Sequence, residues 1–119
     1  MAEKKELKCQ GHLMAVRDTL DVVGGKWKLL IIIAISSGNS RFREIERSIP
    51  KISSKVLADE LKELEQHDLI KRTVYDASPV IVEYTVTPYS DTLKKVVDSM
   101  IEWGTNHRKR IMGKEKVKV

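Results

Sequence analysis

A chain of 119 residues accommodates one domain around one hydrophobic core and leaves no length for a separate catalytic domain. Lys and Arg number 22 against 17 Asp and Glu, and the net charge of +5 favours a polyanionic partner over an acidic substrate; aromatic residues, at 5%, are too few for the stacking platforms of single-strand binders. Cys9 is the one cysteine, which excludes an intramolecular disulfide, and no set of Cys and His has zinc-site spacing, so neither metal nor cofactor is expected.

The opening Met-Ala-Glu-Lys-Lys-Glu-Leu-Lys lacks the apolar centre of a signal peptide, and residues 1–12 are expected to form an N-terminal arm. From Leu13 to Val23 the apolar residues Leu13, Val16, Leu20 and Val23 recur at spacings of three and four, which predicts a first helix closed by Gly24-Gly25. Lys26 to Ser36 resumes helically with Trp27, Leu30, Ile31 and Ala34 inward; its run from Leu29 to Ile35 is apolar nearly all round, as in a central buried helix. That run is far short of the ~20 residues a bilayer span needs, so a cytoplasmic protein without membrane attachment is expected.

Ser37-Gly38-Asn39 breaks the chain, and a short helix from Ser40 aligns Phe42, Ile45 and Ile49 before Pro50 ends it. Ser53 or Ser54 then caps a longer helix running to about His67, with Leu57, Leu61 and Leu64 toward the core. Two helices joined by a tight turn are a candidate helix-turn-helix. The period next changes to two over Ile70 to Tyr75 and Val80 to Val86, with a turn at Asp76 to Pro79: a β-hairpin with a basic first strand. Thr87-Pro88 reads as N-cap and first helical residue of a last helix striped by Leu93, Val96, Val97, Met100, Ile101 and Trp103. The domain spans residues 13–108, and residues 109–119 read as a frayed basic tail. The class is mainly α with a small β-hairpin wing, the element order of a winged helix-turn-helix.

That order assigns the chemistry. On the longer helix, taken as the recognition helix in the major groove of double-stranded DNA, the groups turned from the core are Ser53, Ser54, Lys55, Asp59 and Lys62, with the donors at the N-terminal end, where free amides bind phosphate and Lys55 reaches a phosphate or a guanine edge. Asp59, Glu60, Glu63 and Glu65 would be repelled by phosphates, so the helix should enter by its N-terminal end only. Arg41 and Arg43 beside Phe42, Lys71 and Arg72 on the wing, and Lys26 and Lys28 around Trp27 are backbone-contact candidates; the alternative for each is an ordinary solvated charge. The apolar stripe of the last helix exceeds what so small a core covers, and with Leu13, Val16 and Leu20 of the first helix it could build a two-fold homodimer that sets two recognition helices one DNA turn apart. The alternative is that both helices pack on their own core.

The stretch Val16-Arg17-Asp18-Thr19-Leu20-Asp21-Val22-Val23-Gly24-Gly25-Lys26-Trp27-Lys28-Leu29-Leu30-Ile31 resembles the opening of HxlR-type regulators, a winged-helix branch related to the MarR type. Three further segments match in order: Arg41 to Ile45, Ile52 to Leu64, and Val82 to Pro88. The resemblance covers about Val16 to Trp103 and implies a dimeric repressor or activator whose first and last helices form the dimer. Members often carry a cysteine next to a proline just before the first helix, in some a sensor of oxidants, quinones or aldehydes. Here Cys9 is followed by Gln10-Gly11-His12 and lies further upstream; Lys8 and His12 would favour its thiolate only slightly, and the alternative is an inert, partly buried thiol. A lone sensor cysteine must work by alkylation, a mixed disulfide or a bridge to a second subunit.

Two competing readings stand beside the DNA-binding regulator. One is a winged-helix protein-interaction module without specific DNA binding. The other, an enzyme, is least favoured, because His12, His67 and His107 fall in different elements and Cys9 lacks a base. The sequence names neither an operator nor a small-molecule effector.

Overall fold

The computed structural model describes residues 2–117, with side chains described over residues 9–113. The elements run α1 (Ala2–Val23), α2 (Lys28–Ser36), α3 (Phe42–Ser48), α4 (Ser54–Gln66), β1 (Ile70–Tyr75), β2 (Ile81–Val86), a 3-10 turn (Ser90–Leu93) and α5 (Lys94–Val117). This is the expected class, mainly helical with one two-stranded antiparallel hairpin. The chain up to Thr87 forms one compact unit and the chain from Pro88 a second.

The core of the first unit is aliphatic. Ile31 of α2, Ile45 of α3, Leu57, Leu61 and Leu64 of α4, and Leu69 and Ile70 at the start of the hairpin are all fully buried. Each such side chain stabilises the fold by about 1.5–3 kcal/mol over its exposed state. The triplet on α4 is the one its periodicity predicts. On α2 the expected Ile31 and Ala34 are buried and Trp27 is half-buried, but Leu30 is 44% exposed and Ile32 and Ile35 complete the buried set instead. A helix apolar nearly all round has no periodic signal, so packing against α3, α4 and the hairpin selects its face.

Helix ends are set by specific hydrogen bonds. Gly25, at φ 88°, takes the left-handed geometry that separates α1 from α2. At the end of α2 the Asn39 N–H donates to the Ala34 carbonyl (3.2 Å) and the Gly38 N–H to that of Ile35 (3.1 Å), a Schellman closure with Gly38 at φ 109°. The end of α4 repeats it: Leu69 N–H donates to Leu64 (3.0 Å) and Asp68 N–H to Glu65 (3.0 Å), but a non-glycine residue, Asp68, takes the left-handed position at φ 59°. This closure turns the chain straight into β1.

Several boundaries differ from the sequence expectation, beginning with α2, which starts at Lys28 instead of Lys26, and α3, which starts at Phe42 instead of Ser40. Helix α1 begins at Ala2 instead of Leu13, so residues 2–12 are helix and not an arm; Ala, Glu, Lys and Leu are strong helix formers, and the single Gly11 does not outweigh them. Strand β2 begins at Ile81, one residue after the exposed Val80. Helix α5 begins at Lys94, not directly after Thr87-Pro88: the 3-10 turn comes between, and Thr87 is bonded to the α4–β1 junction, its hydroxyl donating to the Asp68 carbonyl (2.6 Å) and its N–H to that of Leu69 (3.2 Å). Finally α5 continues to Val117 through the region read as a frayed tail from residue 109, since Lys, Arg, Ile, Met and Glu all sustain helix; the last two residues of that tail lie outside the described residues.

Among the described residues no helix is long and apolar enough to cross a membrane.

Candidate nucleic-acid interface

The turn between α3 and α4 is made by Lys51 in the left-handed region, φ 67°, after which Ile52 is buried and Ser53 adopts the extended conformation of an N-cap. The Val56 N–H donates to Ser53 Oγ at 3.1 Å, which fixes the first turn of α4 and leaves the Ser53 hydroxyl proton free to donate outward. The Ser54 hydroxyl donates to the Glu46 carboxylate of α3, locking the two helices of the pair together. Its proton is therefore engaged within the chain. Lys55, the next residue, is exposed, as are Asp59 and Lys62 one and two turns on. These lie opposite the buried Leu57, Leu61 and Leu64, so α4 presents one polar face to solvent along its length.

The short helix α3 is fixed at its start by Glu44, whose Oε1 accepts from the N–H groups of Arg41 (2.9 Å) and Ser40 (3.2 Å). The Ser40 carbonyl accepts from the Tyr84 N–H at 2.8 Å, tying the approach to α3 onto β2. Arg41 lies 3.7 Å from the Glu83 carboxylate but remains 47% exposed, and an exposed pair of this kind is worth little enough for Arg41 to change partners. Arg43 is exposed two residues on.

In the hairpin Ile70 pairs with Val86 and Tyr75 with Ile81, and only the base, at Ile70, is buried; the rest of β1 stands away from the core with Lys71 and Arg72 exposed. An open cleft of about 500 Å³ lies between α4 and the hairpin, lined by Leu61, Lys62, Glu65, Gln66, Arg72 and Tyr84. It brings Lys62 of the helix and Arg72 of the wing to one place from positions ten residues apart in the sequence.

A polar helix presented beside a hairpin with a basic first strand is the arrangement of a winged helix-turn-helix, and residues 22–112 match the HxlR-like helix-turn-helix family. The chain belongs to that family. Its relatives include the HTH-type transcriptional regulator YtcD of Bacillus subtilis strain 168, 39% identical over 100 residues, 84% of this chain and 79% of YtcD. The crystal structure of YtcD superposes with a TM-score of 0.75 at 39% identity, covering 79% of this chain and 96% of that one. The redox regulator HypR in its reduced form gives a TM-score of 0.77 at 38% identity, covering 83% and 98%. Like these, the HxlR-like chain described here is a winged helix-turn-helix of the transcriptional-regulator class.

Within this HxlR-like fold Lys28, expected at the DNA backbone, is engaged by α4 instead. Lys28 points into the protein: its side chain is 12% exposed, with Nζ 2.7 Å from Glu60 Oε2 and 2.6 Å from Glu63 Oε2, both on α4. Burial would lower the Lys28 pKa, but hydrogen bonds and charge from Glu60 and Glu63 outweigh it and hold the ammonium above the ordinary lysine value. In return the Lys28 hydrogen bond and charge hold the Glu63 carboxyl below its ordinary range. Lys26 stays exposed, its ammonium 4.8 Å from the centre of the Trp27 ring. Sequence reasoning missed three of these features: the Lys28 partners, the Ser54–Glu46 bond, and Lys51, an exposed cation in the turn itself. Only Lys51 carried a signal, as a basic residue two positions before the cap.

Most of the residues expected at a dimer contact are uncovered. On α1, Leu13, Val16 and Leu20 are 58–65% exposed, and on α5 the stripe includes Met100 at 53%, Ile101 at 52% and Trp103 at 69%, with Val96 at 40%. Val97 and Leu93 are half-buried. Trp103 stacks on His107 with ring centres 4.8 Å apart. Cys9 is exposed on α1, in register with Leu13, Val16 and Leu20.

Proposed function

We propose that the protein is a cytoplasmic homodimer that binds an operator in duplex DNA and regulates transcription by occupying it, without catalysis. The first turn of α4 enters the major groove, and Arg41, Arg43, Lys71 and Arg72 hold the flanking phosphates, with Lys62 and Lys26 as further cations. The observation that carries this reading is the exposed donor set of Ser53 and Lys55 at the N-terminus of a helix whose other face is locked into the core. Sequence readout rests on Lys55. In fluorescence anisotropy with the DNA upstream of its own coding sequence, Lys55→Ala should weaken binding about tenfold or more and narrow the gap between specific and arbitrary duplexes. Equal affinity for every duplex, unaltered by that substitution, overturns the reading.

The dimer in this proposal uses the uncovered faces of α1 and α5. Patches of this kind on small proteins mark interfaces. Control by oxidants through Cys9 is a second reading, supported by its exposure in register with the α1 face and by the likeness to the redox regulator HypR. Diamide should change the DNA affinity of the wild-type protein and leave that of Cys9→Ser unchanged; an equal response in both overturns it.

A further inference from the structure

The basic first turn of α4 is followed by Asp59, Glu60, Glu63 and Glu65. Carboxylates so placed repel the phosphates that the turn approaches. At about 1.5 Å of rise per residue, Glu60 and Glu63 lie roughly 8 and 12 Å along the axis from Lys55. That is about one screening length at ordinary salt, so their charge is felt at the groove. These two carboxylates are the ones that Lys28 reaches from α2, and it reaches both.

We propose that Lys28 is an internal counter-ion of the recognition helix, which masks Glu60 and Glu63 from DNA phosphates without touching DNA itself. The inference rests on the DNA-binding reading above and goes beyond it by assigning a role to a lysine whose ammonium is already engaged by two carboxylates and whose side chain is only 12% exposed. A structural need alone does not account for the arrangement. Removing Lys28 alone would leave its two carboxylates unpaired and cost stability, but replacing the whole trio by apolar side chains of similar volume would cost little, so stability does not require charges here. Nor does one ammonium require two carboxylates: the trio keeps one net negative unit, where α4 without Lys28 would carry two. The gain lies in what the DNA meets, which is half the repulsion.

A charge series tests this with the full chain and a fluorescein-labelled duplex of its own upstream DNA, at roughly 50 mM and 300 mM salt. Lys28→Met makes the trio one unit more negative, Glu63→Gln makes it one unit less negative, and the combination of Lys28→Met with Glu60→Gln and Glu63→Gln makes it neutral. At low salt Lys28→Met should bind about two- to fivefold more weakly than wild type and Glu63→Gln tighter by a similar factor. The triple variant should recover at least wild-type affinity, and all differences should shrink at high salt. A purely structural clamp predicts instead that Glu63→Gln and Lys28→Met both weaken binding, that the triple variant is not rescued, and that salt leaves the differences unchanged; that result overturns the proposal. If circular dichroism shows Lys28→Met unfolded, the sign of the change in Glu63→Gln, whose side chain is 54% exposed, decides alone. Wild-type protein that binds no duplex overturns the DNA reading and the mask with it, whereas binding with no charge order overturns the mask only.

Discussion

Gly38 and Asp68 occupy the same position in two helices, the left-handed residue of a Schellman closure, and they make opposite demands on substitution. A Cβ on Gly38 would meet no atom within 4 Å, so the cost of Gly38→Ala is purely conformational, and urea unfolding should show a loss of about 1 kcal/mol or more. Asp68 already bears that cost, so Asp68→Gly should leave stability unchanged or raise it by up to about 1 kcal/mol. Equal losses in both variants would contradict the closure geometry. The sequence pointed to the first position through Ser37-Gly38-Asn39; the second was silent, because an aspartate in the left-handed region looks like any loop residue. The cap of α4 was legible only as Ser53 or Ser54, since either serine ahead of a periodic helix can take that role; the Val56 N–H bond selects Ser53. Lys28 was misread because its partners lie more than 30 residues away on α4, and no local pattern encodes a pair that only tertiary packing creates.

At the scale of elements, the α2–α4 link should give stability a defined pH dependence. The raised Lys28 pKa contributes stability that is complete below the ordinary lysine value and lost as pH rises through the raised one. The lowered Glu63 pKa contributes stability that is complete above the ordinary carboxylate value and lost as pH falls through the lowered one. Between those limits the link is intact. Lys28→Met should therefore lie below wild type across neutral pH and converge with it toward both extremes in urea midpoints; a constant offset at every pH would count against the link. Helix α4 and the hairpin were read nearly to the residue, because one has a clean 3.6 period and the other a clean period of two. Helix α2 has neither, and its inward face had to come from the structure.

For the whole molecule, two facts join. The first unit exposes a donor-bearing helix and a hairpin with a basic first strand, and apolar side chains of α1 and α5 are left in solvent within a chain of net charge +5. A monomer has no use for such stripes, and a single recognition helix reads too few bases to single out one operator. The proposed two-fold pairing would answer both, and it would make operator geometry a property of the protein, with half-sites about 10 base pairs apart or a multiple of that spacing. Hydroxyl-radical footprinting of the upstream DNA is the most direct test. The account predicts two protected half-sites in inverted orientation at that spacing, both lost together in Lys55→Ala. A single protected patch without symmetry, or protection that follows protein concentration uniformly along any duplex, would contradict it.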